Sequence, residues 1–178
     1  MRTRTGSGTR RPARRTVDPS TATKRVAAVT CDGGRAMRVS EVLRRKGATV
    51  ITIEPDRSVR ELLGLLAEHG IGAVVVSEDG TGVAGIVSER DVVRRLQLYG
   101  EEILDGPVAG IMTVDVSTCA PPDDLEQLME TMTEQRIRHL PVIEEGRLVG
   151  LVSIGDVVKH RISEVQAERD HLSAYITR

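Results

Sequence analysis

The chain repeats itself. An offset of about 66 residues lays TVITIEPDRSVRELLGLLAEHGIGAVVVSEDGTGVAGIVSERDVVRRL, from Thr49 to Leu96, on DVSTCAPPDDLEQLMETMTEQRIRHLPVIEEGRLVGLVSIGDVVKHRI, from Asp115 to Ile162. Val59 falls on Leu125, Leu62 on Leu128, Ile71 on Ile137, Gly85 on Gly150, Ser88 on Ser153 and Asp91 on Asp156. Self-similarity at this period means one supersecondary unit used twice. A single unit of about 50 residues buries too little surface to be secure alone. Two copies facing each other across a pseudo-two-fold axis can share a core, and that packing leaves two equivalent clefts between them.

Each copy carries the same order of elements. A β-branched run (Thr49–Ile53, Val114–Cys119) stops at Pro55 or Pro121. A helix follows, opened by Ser58-Val-Arg-Glu61 in the first copy and by the box-like Asp123-Asp-Leu-Glu126 in the second. Val59, Leu62, Leu63 and Leu66 recur at helical spacing, as do Leu125, Leu128, Met129 and Met132. Two β-runs then meet at an acidic, glycine-containing turn: Ile71–Ser77 with Val83–Val87, and Ile137–Ile143 with Leu148–Val152. The second run of each pair leads directly into another helix. A short helix over Val108–Met112 enters the second copy. The fold class is α/β (α+β), two β-α-β-β-α units, with residues 37–104 as the first copy, 105–162 as the second and 163–178 as a C-terminal helical extension.

Composition excludes several classes. Phe and Trp are absent and Tyr occurs twice, so almost no aromatic platform is on offer for stacking single-stranded nucleic acid, and a purine would have to lie between aliphatic side chains. No apolar run reaches the roughly 20 residues of a membrane span, and no signal-peptide core opens the chain. Cys31 and Cys119 stand far apart without a Cys/His cluster, which argues for reduced thiols, a cytoplasmic setting, and neither disulfide framework nor zinc.

Residues 1–36 hold nine Lys or Arg against Asp18 and Asp32, lack hydrophobic periodicity and read as a disordered basic tail. Such an arm could touch nucleic acid or a membrane surface. The alternative is a solvated tail, or an upstream extension with Met37 as the true start, because Arg outnumbers Lys 22 to 3 as in GC-rich coding sequence. The second reading is favoured, and neither nucleic acid nor membrane is an expected partner.

Catalytic constellations are missing. There is no Gly-x-Ser-x-Gly, Walker loop, Gly-x-Gly-x-x-Gly or His-Glu-x-x-His, and the four histidines are scattered. What remains is Ser88-Glu-Arg-Asp91 and Ser153-Ile-Gly-Asp156, each where a strand runs into a helix. Structurally this is a capping box. The same geometry suits a ligand, since a carboxylate at a helix start can accept from both hydroxyls of a ribose, and free N–H groups nearby favour a phosphate.

Gly-Ile-Val-Ser-Glu-Arg-Asp-Val-Val and Gly-Leu-Val-Ser-Ile-Gly-Asp-Val-Val, following Ile-Gly-Ala-Val-Val-Val and Ile-Arg-His-Leu-Pro-Val, resemble paired cystathionine-β-synthase (CBS) domains over about Met37 to Arg161. The long tail helix resembles that of small stand-alone bacterial members of this family. The resemblance implies adenosine ligands, among them AMP, ATP, NAD(H) and S-adenosylmethionine, and no catalytic cofactor. It places Ser88 and Asp91 in a first cleft, with Val114, Val116 and Ile137 at the base and Arg138 and His139 near phosphate. A second cleft would use Ser153 and Asp156, with Thr49, Ile51 and Ile71 around the base. Gly72 and Ala73 stand where the first cleft has Arg138 and His139, so the clefts should differ, and phosphate enters the second only if Lys46, Arg90 or another cation reaches in.

The apolar stripe Val158, Ile162, Val165, Leu172 and Ile176, interrupted by Arg169, suggests a homodimer interface formed with the outer helices of both copies, the alternative being a helix folded back on its own domain. Two functions follow: a nucleotide-sensing regulatory module acting on another protein, or a constitutive scaffold with vestigial clefts and a basic arm.

Overall fold

The computed structural model describes residues 23–26, 37–47 and 49–176. Strands β1 (Thr23–Arg25), β2 (Thr52–Ile53), β3 (Ala73–Val76), β4 (Gly85–Ser88), β5 (Val116–Thr118), β6 (His139–Glu144) and β7 (Arg147–Ser153) alternate with helices α1 (Val39–Lys46), α2 (Val59–His69), α3 (Glu89–Tyr99), α4 (Leu125–Glu134) and α5 (Ile154–Ile176). Two 3-10 turns, Gly100–Asp105 and Val108–Gly110, connect the copies.

The first copy forms the sheet β2-β3-β4, with β2 parallel to β3 and β3 antiparallel to β4. In the second, β6 and β7 are antiparallel, and β5 joins β6 through the parallel bridge Cys119–Val142. Hairpin β6–β7 turns on Glu145 (φ 48°) and Gly146 (φ 77°), a two-residue loop with both φ positive, the combination that matches strand twist. In the first copy Asp79 ties the longer turn by accepting from the N–H groups of Thr81 and Gly82.

Helix α2 starts with the expected box: Ser58 Oγ accepts from Glu61 N–H while Glu61 Oε2 accepts from Ser58 N–H. The second copy differs. Asp124, not Asp123, caps α4, accepting from Glu126 and Gln127 N–H. Asp123 is instead buried, where it accepts from Ala120 N–H and the Arg25 guanidinium.

That guanidinium belongs to β1, which runs parallel to β5 with Lys24 opposite Ser117. Thr23–Arg25 thus forms a strand inside the segment expected to be disordered. The cause is an open edge of β5, which offers backbone partners, together with a buried carboxylate that requires a cation. The rest of the tail, residues 1–22 and 27–36 with Cys31, lies outside the described residues. Cys119 is a free, buried thiol.

The leading segments of the two copies are exchanged. Val39 and Val42 of α1 are buried among Leu125, Leu128, Met132, Leu140 and Val152 of the second copy. Val108 and Ile111 are buried among Val59, Leu62, Leu66, Val74 and Val87 of the first. Matching backbone bonds fix both dockings: Val39 N–H to Asp123 O (3.0 Å) and Leu125 N–H to Met37 O (2.9 Å), against Val108 N–H to Arg57 O (2.8 Å) and Val59 N–H to Gly106 O (3.0 Å). Each core is therefore closed by residues that lead the other copy, so neither can be complete alone. A third cluster of Val75, Val83 and Val116, flanked by Ile86, Ile143 and Leu151, joins the two sheets.

Glycines 85 and 150 mark the crossings. A Cβ at Gly85 would lie 2.7 Å from Met112 Sδ and 2.9 Å from Thr113 O, and one at Gly150 would lie 2.5 Å from Leu43 Cδ2. Helix α5 runs for 23 residues where α3 has 11. Val158, Ile162 and Val165 are exposed along it, while the side chains of Leu172 and Ile176 lie outside the described residues.

Candidate functional site

Strand β4 passes into α3 at Ser88, the N-cap, and the third helical residue is Asp91. Asp91 Oδ2 accepts from Ser88 N–H (2.9 Å) and from Ser88 Oγ–H (2.6 Å). The box fixes the rotation of the carboxylate, and Oδ1 has no hydrogen bond among the described residues. Ser153 and Asp156 repeat the arrangement at 2.9 and 2.7 Å. Capping and ligand binding are thus compatible, since one oxygen serves each.

Hairpin register decides what flanks these junctions. Ala73 pairs with Ser88 and His139 with Ser153. Glu89 N–H donates to Gly72 O and Ile154 N–H to Arg138 O, the same bond in each copy. The pseudo-two-fold packing then turns Arg138 and His139 toward the junction of the other copy. The result is a cleft of about 460 Å³ between the copies. Ser88 and Asp91 line it from one side, and Val116, Ile137, Arg138 and His139 from the other.

Val114 is not part of this wall. Thr113 exchanges two backbone hydrogen bonds with Ile86 (2.8 and 3.0 Å), which sets the alternation of the following strand. Thr113, Asp115 and Ser117 line the cleft as a result, and Val114 is exposed.

Three arginines beyond Arg138 also line it: Arg90 and Arg94 from α3, and Arg136 from the end of α4. The resemblance offers Arg90 to the other cleft only. Helical spacing from Asp91 could have found Arg94. The mismatch of Arg136 with Gly70 in the aligned copies was the available signal for the third.

At the other junction, Lys46 Nζ lies 2.7 Å from Asp156 Oδ2 and 3.3 Å from Leu151 O. Lys46 is the cation that reaches in, and it is paired with the carboxylate itself. Burial alone would raise the Asp156 carboxyl, but the Lys46 ammonium and the Ser153 donors outweigh this and hold it below its ordinary value. Of the other residues assigned there, Ile71 packs against the first core, Ile51 is half-buried and Thr49 is exposed.

His139 stands between the two sites. Burial lowers its pKa below the ordinary 6.5, the Lys46 and Arg138 charges lower it further, and Asp156 and Glu89 oppose them. Neutral pH therefore finds the ring uncharged. Among the described residues no group of His, Cys, Asp or Glu is arranged to hold a metal ion, and no helix is long and apolar enough to cross a membrane.

Two facing β-α-β-β-α units, each with a Ser-x-x-Asp junction where a strand enters a helix, define a tandem-repeat architecture. The chain belongs to the CBS domain family, whose model matches residues 39–98 and 108–163. Both matches begin at the exchanged segments. A mitochondrial CBS domain-containing protein of Arabidopsis thaliana is 34% identical over 152 residues, covering 81% of this chain and 74% of its own. The crystal structure of a CBS-domain-containing protein from Agrobacterium tumefaciens superposes with a TM-score of 0.68 at 48% identity, covering 70% of this chain and 99% of that one. A CBS domain protein from Pyrobaculum aerophilum complexed with AMP gives a TM-score of 0.59 at 31% identity, covering 67% and 89%.

Proposed function

We propose that this protein is a regulatory module without catalytic activity that binds an adenine nucleotide, AMP, ATP or NAD(H), in the Asp91 cleft. One observation carries this reading. The Asp91 carboxylate is held by Ser88 with one oxygen unoccupied, at the wall of a cleft whose opposite side presents Arg138 and His139. A ribose diol can donate to that oxygen while a phosphate approaches the basic side. The AMP complex of the Pyrobaculum relative supports the ligand class. Signalling requires that the nucleotide favour one state of the module over another, to which a regulated protein responds.

Thermal unfolding with adenosine, AMP, ATP, NADH and S-adenosylmethionine tests the reading. A nucleotide at 100 times its Kd should add about 2.7 kcal/mol of stability. Asp91→Ala should abolish that shift, and a shift unchanged in the variant rejects the assignment.

The module would act as a homodimer. Val93 and Val158 occupy equivalent exposed positions on α3 and α5, and Leu96, Ile162 and Val165 extend the apolar surface. Sedimentation of the full chain as a monomer at micromolar concentration would exclude this.

A further inference from the structure

Strand β5 lacks a ladder that its counterpart has. In the first copy β2 runs parallel to β3, with Thr52 opposite Val75 and Ile53 opposite Val76. Thr52 aligns with Thr118 and Val75 with Pro141, whose nitrogen carries no hydrogen to donate. Among the described residues β5 meets β6 only at the single bridge of Cys119 with Val142. The ladder partner of Val116–Thr118 is β1.

That strand comes from outside the repeats, since the family match begins at residue 39. The ladder sets Lys24 opposite Ser117. Val26 N–H donates to Thr118 O (2.9 Å), and Val26 packs against the second core. Arg25 reaches the buried Asp123 carboxylate at 3.2 Å. The first copy has no equal receptor for a basic strand: Arg57 stands at the position of Asp123, exposed and paired with Glu54 and Glu61.

The strand that β1 completes is a wall of the Asp91 cleft, lined by Val116 and Ser117. Before it, Thr113 is tied to the first copy by its two bonds with Ile86. After it, Cys119 is tied to β6, donating to Pro141 O (3.0 Å) and accepting from Ile143 N–H (2.8 Å). Between these anchors the backbone pairing of the wall is supplied by β1. A wall ordered before the ligand arrives lowers the cost of binding. Two events that favour the same conformation favour each other equally.

We infer that β1 is a detachable part of this site: docking of residues 23–26 on β5 and binding of a nucleotide in the Asp91 cleft reinforce each other. The segment ahead of the repeats thereby regulates the affinity of the module. The inference rests on the proposed adenine-nucleotide reading and adds a regulating element to it.

Tryptic cleavage of the full chain after Lys24 requires β1 to leave β5, so its rate reports the undocked fraction. Whichever of AMP, ATP and NADH binds should, at saturation, slow that cleavage about fivefold or more in the wild type. The rate should not change in Asp91→Ala. Calorimetric titration reads the reciprocal effect in two variants at residues that do not line the cleft. Arg25→Ala removes the anchor to Asp123, and Val26→Pro removes the donor to Thr118 O while keeping an apolar side chain. Each should be cleaved faster after Lys24 without ligand, keep the circular dichroism of the folded chain, and bind the nucleotide about fivefold more weakly. Nucleotide binding that leaves the cleavage rate of the wild type unchanged overturns the inference, as does full affinity in a variant that is cleaved faster. If Asp91→Ala abolishes that binding, the nucleotide reading still stands. No binding of any of the three removes both.

Discussion

Lys46 Nζ and Asp156 Oδ2 stand 2.7 Å apart although 110 residues separate them in sequence. The lysine ends α1, the leading segment of the first copy, and the aspartate lies in the first turn of α5, which closes the second. The ion pair follows from the exchange of leading segments, and it makes the two junctions chemically unequal: among the described residues Asp91 has no such ion pair, whereas Asp156 is already paired.

Asp156→Ala should therefore reduce stability without removing the nucleotide site proposed at Asp91. Three donors lose their acceptor, Ser153 N–H, Ser153 Oγ–H and Lys46 Nζ. Loss of the cap and a partly exposed ion pair should together cost about 1–2 kcal/mol in urea denaturation. Nucleotide affinity should stay within about twofold of wild type, whereas Asp91→Ala should eliminate it. Because the Asp156 pKa is lowered from 3.8, its contribution is complete above that value and is lost as pH falls through the lowered pKa. The wild-type advantage over the variant should stay level from about pH 8 to about pH 5 and shrink only in stronger acid.

The two crossing glycines should differ in tolerance. At Gly85 an added methyl meets the Thr113 carbonyl at 2.9 Å, a backbone atom fixed by its bond to Ile86. At Gly150 the nearest atoms all belong to the Leu43 side chain, which can change rotamer. Gly85→Ala should destabilise by about 2–3 kcal/mol and Gly150→Ala by about 1 kcal/mol, compared by urea midpoint at constant slope.

Arg25→Ala should weaken the folded core from outside the repeats. Its partner Asp123 has a side chain 2% exposed and would keep only the Ala120 N–H donor. The arginine itself is 62% exposed, so its loss should cost about 1–2 kcal/mol, well below a fully buried pair. Asp123→Asn in the same chain should recover part of that loss, and a double-mutant cycle measures the coupling.

Nucleotide binding should take up a proton through His139. Its pKa is lowered in the free protein by burial first, then by Lys46 and Arg138, so at neutral pH the ring is uncharged. Folding therefore loses stability on this account as pH falls below 6.5, where the unfolded chain binds the proton more readily. A phosphate beside the ring would favour the imidazolium and reverse that bias. Titrations at pH 7 in buffers of different ionisation enthalpy should show proton uptake in wild type and its loss in His139→Gln.

Local pattern made much of this protein legible. The duplication, the proline-stopped strands, the Ser58 box and both Ser-x-x-Asp junctions depend on residues a few positions apart, where caps and periodicity act directly. The same local rules misplaced the second box at Asp123, because two adjacent aspartates can each satisfy the motif. Only burial beside Arg25 assigns Asp123 to the interior and Asp124 to the cap.

By itself the sequence determined two like units, their element order and the carboxylate that begins each closing helix. The tertiary structure alone decided which core Val39 and Val108 enter, that Lys46 meets Asp156, that Thr23–Arg25 joins a sheet, and that arginines from α3 and α4 converge on one cleft. A short apolar segment fits either of two similar cores by pattern alone. The choice comes from the geometry of the two-fold packing, in which the far copy presents its open groove and its free backbone carbonyls to the chain that precedes the near one.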